Sequence, residues 1–347
     1  MLNITTNQVL ELLQEYWQLS GEVSPLPSYA DRNFKVHHPS GDYVFKIANP
    51  NWSYADLDIE NAALLHLEKT CPDLALPKVI LTAEQDHIIP YTTQSKQVCH
   101  LRLMRFVEGE VYAKVASDNQ INQSALQTSL GVAIAKLNRG LADFSHANMY
   151  RYVDWNISNV LALREEIPHI DELHLRDVVS RHIAFFAEHE THWKQQLPMS
   201  VIHNDANDFN VIVAHSNNKA HSEVNAIIDF GDMCHHLRVV DLAIAITYAL
   251  QTITEVEAVQ TAMMTILSGY HQTYPLTAEE IHALYHLITA RLSQSILMAN
   301  RAWRKNPENE YILISQTGVR RLILQLDAID YAQLQGRLFN ACKIAAN

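Results

Sequence analysis

Positive charge is in short supply along this chain. Its 347 residues include 26 Lys and Arg against 38 Asp and Glu, which gives a formal net charge of -12 at pH 7. A nucleic-acid binder needs a basic surface that displaces counterions from phosphates, so this composition argues against a nucleic-acid partner. It favours, weakly, a cationic or neutral small molecule.

Cysteines are also few, and they lie far apart. No two of them form a C-x-x-C pair, which favours buried thiols in a reducing compartment over a disulfide framework or a zinc site. We therefore expect a cytoplasmic protein. The run Cys234-His235-His236 lacks spaced partners, so we interpret it as loop or surface rather than as a set of metal ligands. The four cysteines are Cys71, Cys99, Cys234 and Cys342.

Long apolar runs are missing as well. The longest, near Val239 to Leu250, is too short to span a membrane and contains Asp241. The N-terminus carries Glu11 and Glu15 and no basic residues before its first apolar run, unlike a signal peptide. We therefore expect no membrane partner. The 48% hydrophobic content is that of an ordinary globular protein, and the chain is long enough for two lobes.

One pair of motifs carries the chemistry. The stretch from His203 to Asn210 reads H-x-D-x-x-x-x-N, and D-F-G follows at Asp229. Phosphoryl transfer needs one carboxylate beside the attacking hydroxyl, and an amide and a second carboxylate that hold Mg²⁺ against the nucleotide phosphates. Asp205 fits the first role, and Asn210 and Asp229 fit the second. Short strands predicted at 201–204, 211–214 and 226–230 place all three at strand ends or in loops, so the pair predicts a kinase.

The N-terminal region offers a second pair of charged residues. Strand-like runs at 33–38 and 43–48 flank a turn at 39–42, which predicts a β-hairpin. Lys46 lies among apolar neighbours in the second run, although taken alone it fits a solvent-facing edge strand about as well. A helix predicted from Ser53 places Glu60 on its apolar face, where an acid needs a cation. We expect Lys46 to pair with Glu60 and to bind the nucleotide phosphates.

These elements predict an α+β, bilobal, protein-kinase-like fold. A capped leading helix, five antiparallel strands in all (including 76–81, 87–91 and 98–106) and one packed helix form an N-terminal nucleotide-binding lobe, residues 1–107. A larger, mostly helical lobe, residues 108–347, carries the catalytic and substrate-binding groups. Its later helices are predicted at 240–251, 256–274, 277–303 and 311–335. We expect the connecting segment near Phe106 to Gly109 to offer backbone groups to the nucleotide base, with Met104 and Phe106 beside it.

The chain resembles the aminoglycoside phosphotransferase-like branch of the protein-kinase-like fold, and within it the hydroxylysine kinase group. The likeness covers about residues 26 to 325. The stretches that carry it are Leu26-Pro27-Ser28-Tyr29 with Asn33-Phe34, Trp155-Asn156, His203 to Asp208, Ile228 to Asp232, Asp241 to Ala245, Arg291-Leu292 and Asn306 to Tyr311.

The resemblance implies a role for each matched residue. Asp205 accepts or orients the proton of the substrate hydroxyl during attack on the γ-phosphate, while His203 packs beside the metal-binding loop and Asp241 hydrogen-bonds the catalytic loop. No G-x-G-x-x-G precedes Lys46, so Ser28 and backbone N–H groups have to cover the phosphates. Two further departures from the family pattern are Asn204, where glycine is frequent, and Asn138, where many relatives carry histidine.

The substrate is expected to be small. No A-P-E segment follows Asp229, and Asp241 comes only twelve residues later, which leaves no room for a long peptide-binding segment. Asp208 and Asp232 either receive a substrate ammonium or lie on the surface. We expect transfer of the γ-phosphate of ATP or GTP, with Mg²⁺, to a small hydroxylated amine such as hydroxylysine. Aminoglycoside, homoserine and choline or ethanolamine kinases, or a silent kinase-fold binding protein, are the alternatives, and the oligomeric state stays open.

Overall fold

The computed structural model describes residues 4–28, 31–93, 96–214, 222–306 and 316–344. Its first element is helix α1 (Thr6–Trp17), which begins at a capping box. The Thr5 N–H donates to Gln8 Oε1 at 2.8 Å, and the Gln8 N–H donates to Thr5 Oγ1 at 3.3 Å. These bonds satisfy two donors that a helix start leaves free. The predicted leading helix is confirmed.

An antiparallel sheet follows in the order β1-β2-β3-β6-β4, with β5 also paired to β6. The predicted hairpin is β2–β3, in which Phe34 lies opposite Phe45. The sheet has one strand more than predicted. The additional strand, β1, contains Pro25, a residue that argues against a strand in sequence but is tolerated at a sheet edge, where β1 lies. The strands are β1 (Glu22–Leu26), β2 (Arg32–His37), β3 (Tyr43–Ile47), β4 (Val79–Ile80), β5 (Ile89–Thr92) and β6 (Val98–Arg105).

Helix α2 (Tyr54–Thr70) begins at Ser53, whose side chain accepts from the Asp56 N–H. Its buried residues Ala63, Leu64 and Leu67 belong to the core of the large lobe rather than to the core under the sheet. Hydrophobic burial therefore ties the later turns of this helix to the second lobe, while Leu57 near its start packs with Ala48 and Ile88.

Hydrogen bonds reinforce that attachment. His66 Nε2 lies 3.0 Å from Gly140 O, and Thr70 Oγ1 donates to the same oxygen at 2.8 Å. The Asp58 carboxylate lies between His87 Nε2 and His146 Nε2, each at 3.1 Å. Helix α2 thus has polar contacts with the segment around residues 140–146 along much of its length.

Two small sheets carry the loops of the large lobe. Strand β9 pairs with both β7 and β10, and β8 pairs with β11. The predicted strands near 201–204 and 211–214 are present, whereas the one predicted over 226–230 begins at Val224 and ends at Ile227. The interpretation of Cys234 to His236 as loop or surface is wrong: they form β11, with Cys234 and His236 buried. The strands are β7 (Glu110–Val111), β8 (Met199–Ile202), β9 (Val211–Val213), β10 (Val224–Ile227) and β11 (Cys234–Leu237).

Helices make up most of the rest. The helix predicted over 311–335 is wrong in part: residues 311–315 lie outside the described ranges, and the remainder splits where Asp330 accepts from the Gln333 N–H and starts a new helix. The helices are α3 (Tyr112–Val115), α4 (Gln123–Gly140), α5 (Leu173–Gln196), α6 (Val239–Leu250), α7 (Val256–Thr273), α8 (Ala278–Lys305), α9 (Gln316–Asp327) and α10 (Tyr331–Ala341), with a 3-10 segment at Ile157–His169.

The chain passes from the first sheet to the second part of the fold between Arg105 and Glu110, since β7 already pairs with β9. The division at residue 107 is not tested further and stays a prediction. In the described ranges, no helix has both the length and the apolar character needed to cross a bilayer. The four cysteines are buried free thiols.

Helices α4 and α7 approach each other through glycines. A Cβ added at Gly131 would lie 2.0 Å from Ile266 O, and one at Gly269 would lie 2.4 Å from Thr128 O. Both obstacles are backbone atoms, so the helices have to separate to admit even a methyl group. Because α4 carries Asn138, this contact also fixes the position of that buried asparagine.

We predict that Gly131→Ala lowers the free energy of unfolding by about 3 kcal/mol through overpacking. The matched control is Gly336→Ala in α10, where an added Cβ meets no atom within 4 Å. Because alanine is the better helix former, the control should be neutral or stabilising by up to about 1 kcal/mol. Urea unfolding of both variants measures the difference, and equal stability of the two would contradict the close contact.

Candidate active site

The catalytic-loop candidates lie between β8 and β9, and their side chains are bonded to one another. Asp205 Oδ2 accepts from Asn207 Nδ2 at 3.0 Å and from Asn210 Nδ2 at 2.9 Å. Asn210 Nδ2 also donates to the Asp205 main-chain oxygen at 2.9 Å. The first two members of the predicted phosphoryl-transfer set are therefore in direct contact.

Asp229 follows β10 and comes to the same place. The Ile228 N–H donates to Asn210 O at 2.9 Å, so the end of β10 lies beside the start of β9. Asp229 has φ 65°, a left-handed conformation that turns the chain sharply, and it is exposed. Its negative charge is one of the influences that raise the pKa of Asp205. The three predicted groups therefore face one region.

The side-chain oxygens in this region suit a hard divalent cation. Asn210 directs its nitrogen at Asp205, which leaves its Oδ1 available, and the Asp229 carboxylate has no hydrogen bond to another described residue. Magnesium is usually held by one or two carboxylates together with substrate phosphates. No group of three or more His, Cys, Asp or Glu with metal-binding geometry occurs within the described part of the chain. The set of Asn210 and Asp229 does not belong to that type of site, because it has only one carboxylate and one amide and relies on the nucleotide phosphates for its other ligands.

Electrostatics at Asp205 are dominated by burial, which raises the pKa of this carboxyl to about 7. The guanidinium of Arg291 acts in the opposite direction, with its Nη2 3.4 Å from Asp205 Oδ1. The charges of Asp232 and Asp229 add to the increase. A carboxyl group with a pKa near neutrality is matched to proton acceptance at physiological pH.

Asp208 and Asp232 stand close by as acids without a partner. Burial raises the pKa of Asp208 to about 6, and burial followed by the charge of Asp229 raises the pKa of Asp232. Neither forms an ion pair with another described residue, although Arg291 and Arg151 act on Asp232 at longer range. Both are half-buried rather than fully exposed. A partly buried carboxylate without a counterion is a candidate for binding an external cation.

The loop between β8 and β9 is anchored by Asp241, which is fully buried at the start of α6. Its Oδ1 accepts the Asn204 N–H at 2.7 Å, and its Oδ2 accepts the His203 N–H at 3.0 Å. Asn138 Nδ2 donates to Oδ2 at 2.6 Å, so the asparagine found in place of histidine supplies a hydrogen bond here. Burial raises the pKa of Asp241, while these donors act against the increase.

His203 and Asn204 connect the loop to its surroundings. His203 Nδ1 accepts the Asp205 N–H at 3.2 Å, so its Nε2 carries the proton and donates to Ile228 O at 3.1 Å. Burial lowers the pKa of His203, which favours this neutral form. Asn204 has φ 65°, a conformation that glycine and asparagine tolerate best. The Asn-for-Gly departure is therefore compatible with the same turn.

The expected pairing of Lys46 with Glu60 is wrong for this structure. Glu60 instead accepts from Arg102 Nη1 at 2.7 Å, and Arg102 is 1% exposed. Lys46 on β3 and Arg102 on β6 are opposite each other in the sheet, so both project towards α2. The longer guanidinium reaches the acid, and Lys46 has no ion-pair partner among the described residues. Its ammonium is free for an external anion.

Of the residues expected near the nucleotide, Phe106 and Met104 have partners within the protein, whereas Ser28 is exposed. The Phe106 N–H donates to Asp42 O at 2.9 Å and is not free for a base, while the Phe106 ring lies 3.9 Å from Lys35 Nζ. Met104 is 5% exposed and belongs to the large core. Ser28 is exposed after β1, but residues 29–30, including Tyr29 of the matched stretch, lie outside the described ranges, as does most of the Asn306-to-Tyr311 stretch.

Sequence reasoning assigned no role to two arginines, although Arg291 lies in one of the matched stretches. Arg151 donates to Met233 O at 2.9 Å, to Asp56 O at 3.0 Å and to Gly231 O, which ties the D-F-G turn to the start of α2. Arg291 on α8 contacts Asp205. Neither has a local spacing signal, because each acts on residues at least eighty positions away in the sequence. The available signals were a charge among apolar neighbours and, for Arg291, the matched Arg291-Leu292 stretch.

Comparison with known proteins decides the family. Residues 22–279 match the phosphotransferase enzyme family. The chain belongs to this family. Hydroxylysine kinase of Mus musculus is 29% identical to it over 323 residues, 87% of this chain and 83% of that protein. An amicoumacin kinase in complex with AMP-PNP and Ca²⁺ has a TM-score of 0.70 at 15% identity, covering 95% of this chain and 97% of its own. A microcompartment-associated aminopropanol kinase has a TM-score of 0.70 at 13% identity, with coverages of 95% and 98%.

These findings confirm the predicted kinase-like α+β fold and the resemblance to the hydroxylysine kinase group. The protein is a small-molecule phosphotransferase that uses a hydroxyl group as acceptor. The alternative of a silent binding protein is not favoured. The residue roles rest on the geometry above.

We predict that the buried Glu60–Arg102 pair stabilises the ligand-free protein and that Lys46 does not. Glu60→Gln should lower the free energy of unfolding by roughly 3 kcal/mol, because it leaves Arg102 buried without a counterion. Lys46→Met is the control on the adjacent strand and should change stability by less than about 1 kcal/mol. Urea unfolding and a double-mutant cycle measure both. Stronger coupling of Glu60 to Lys46 than to Arg102 would contradict the pairing described here.

Proposed function

We propose that this protein transfers the γ-phosphate of ATP or GTP, with Mg²⁺, to the hydroxyl of a small amino alcohol or hydroxylated amino acid, with 5-hydroxylysine the first candidate. The nucleotide binds where the predicted lobes 1–107 and 108–347 meet. The free buried cysteines suit a cytoplasmic location. Hydroxylysine kinase is the name of a relative aligned over 87% of this chain, which supports this acceptor class.

The observation that carries the proposal is the uncompensated negative charge around Asp205. Asp208 and Asp232 lack ion-pair partners among the described residues, and their raised pKa values reflect the cost of holding charge in a partly buried place. A substrate ammonium would offset that charge through charge-assisted hydrogen bonds. An amine-bearing acceptor fits this cleft better than a neutral or anionic one.

The side chains then have separate tasks. Asp205 accepts or orients the proton of the acceptor hydroxyl, and Asn210 and Asp229 are the residues that would hold Mg²⁺. When bound, the cation offsets charge that develops on the transferred phosphoryl group. Lys46, which has no described partner, supplies its ammonium to the nucleotide phosphates, together with Ser28 and backbone N–H groups.

We predict that the purified protein with Mg²⁺ and ATP or GTP phosphorylates 5-hydroxylysine in a panel that also contains amino alcohols, homoserine and aminoglycosides. Release of nucleoside diphosphate and the mass of the product are the readouts. Asp205→Ala should lower kcat by about 10²–10⁴-fold, and Asp229→Ala should be comparably severe. Asp171→Ala, at an exposed acid outside the cleft, is the control. Asp205→Ala with nearly full turnover would refute the assigned role.

We predict that Asp208→Asn and Asp232→Asn raise the KM for the amine acceptor by about tenfold, because each removes a charge that offsets the ammonium. The KM for the nucleotide should change much less. Steady-state kinetics with each substrate varied in turn separates the two effects. An unchanged acceptor KM in both variants would place the amine elsewhere.

A further inference from the structure

Arg291 is a buried cation next to the proposed base. It lies on α8, and none of its side chain is exposed. Its Nη1 donates to Trp155 O at 2.7 Å and to Gln294 Oε1 at 3.2 Å, and its guanidinium carbon is 4.6 Å from the centre of the Trp155 ring. The guanidinium plane is therefore held from two sides before any substrate binds.

The two oxygens of Asp205 have different partners. Oδ2 accepts from both Asn207 and Asn210, whereas Oδ1 faces only Arg291 Nη2 at 3.4 Å. Each carboxylate oxygen has two lone-pair sites. Oδ2 is therefore fully engaged within the loop, and Oδ1 retains one site. The acceptor hydroxyl has one oxygen of Asp205 to which it can donate.

Charge also ties Arg291 to Asp205. A fully buried guanidinium needs a nearby anion, because its desolvation cost is large. Among the described residues, Asp205 is the acid in ion-pair contact with it. Negative charge in the same region comes from Asp208, Asp229 and Asp232. The centre of the Tyr248 ring lies 5.8 Å from the guanidinium carbon. Burial lowers the pKa of His203 behind the loop, which favours its neutral form. Because Arg291 has no accessible surface, a substrate cannot reach it directly.

We propose that Arg291 is the positioning residue for Asp205: it fixes the Oδ1 atom as an anion whose remaining lone pair faces the acceptor hydroxyl. This inference rests on the proposed function and adds to it the oxygen that receives the proton and the residue that orients it. The Trp155 backbone and Gln294 fix Arg291 in turn.

The test compares Arg291→Met and Arg291→Lys with a second buried arginine. Arg238 forms a bidentate pair with Glu280 at 2.7 Å for both bonds and lies 4.2 Å from the Tyr274 ring centre, so Arg238→Met matches the lost packing and charge outside the site. Activity is expressed per folded molecule, with folding measured by thermal unfolding. Arg291→Met should lower kcat by about 10²-fold with acceptor KM changed by less than about threefold. Arg238→Met should lower stability without this loss of kcat.

Arg291→Lys keeps the charge but not the fork, so it should retain more activity than Arg291→Met. The lysine variant also provides a measurable kcat if Arg291→Met does not fold. Asp205→Asn combined with Arg291→Met should be no slower than Asp205→Asn alone, because Arg291 acts through Asp205. A further loss in the double variant, or unchanged kcat in Arg291→Met, would overturn the proposal.

A rise in KM for 5-hydroxylysine alone, with an amino alcohol that lacks a carboxylate unaffected, would also overturn it and would assign Arg291 to substrate carboxylate binding. If the wild-type protein phosphorylates no acceptor, the proposed function fails. Crystal structures of the ligand-free wild type and Arg291→Met still test the positioning. Rotation of the Asp205 carboxylate in the variant supports it, and an unmoved carboxylate refutes it.

Discussion

Mutual repulsion among acids is the constraint on which the cleft depends. Burial raises the pKa of Asp205, Asp208 and Asp232, and the charges of neighbouring acids raise it further at Asp205 and Asp232. Within the described residues, Arg291 is the one cation in ion-pair contact with any of these three or with Asp229. Such an arrangement is unfavourable in isolation and becomes favourable when cations arrive. Under the proposed function, the phosphoryl group is transferred to the hydroxyl of an amine-bearing acceptor. The metal ion and the substrate ammonium would then offset the negative charge of these acids.

A cleft that repels itself needs a rigid support. Asp241 supplies it by accepting the His203 and Asn204 N–H groups, and the bond from Asn138 links the loop to α4. Tyr270 on α7 donates to Asn138 at 2.9 Å, so the close approach of α4 and α7 extends this chain of contacts. Precise placement of Asp205 thus depends on helix packing well away from the reacting atoms.

The motif positions and most strands and helices could be predicted from the sequence, because local spacing carries the H-x-D-x-x-x-x-N and D-F-G signals and the helix caps at Thr5 and Ser53. Which charged residues pair with each other could not be predicted. The position of Glu60 on an apolar face predicted a cationic partner. Whether that partner is Lys46 or Arg102 depends on the pairing of β3 with β6, which the sequence does not reveal. Arg151 and Arg291 act across eighty positions or more. The segment β11 was misjudged because its register with β8, not its composition, buries Cys234 and His236.

The attachment of α2 has a consequence for motion. This helix carries Glu60. Ala63, Leu64 and Leu67 and the bonds to Gly140 and His146 hold it to the large lobe, whereas Leu57 and Asn61 contact the small lobe. Rotation of the small sheet relative to the large lobe would therefore strain the Glu60–Arg102 pair and the contacts of Leu57 and Asn61. Switching by an outward swing of this helix, which silences some kinases, would require breaking a hydrophobic core.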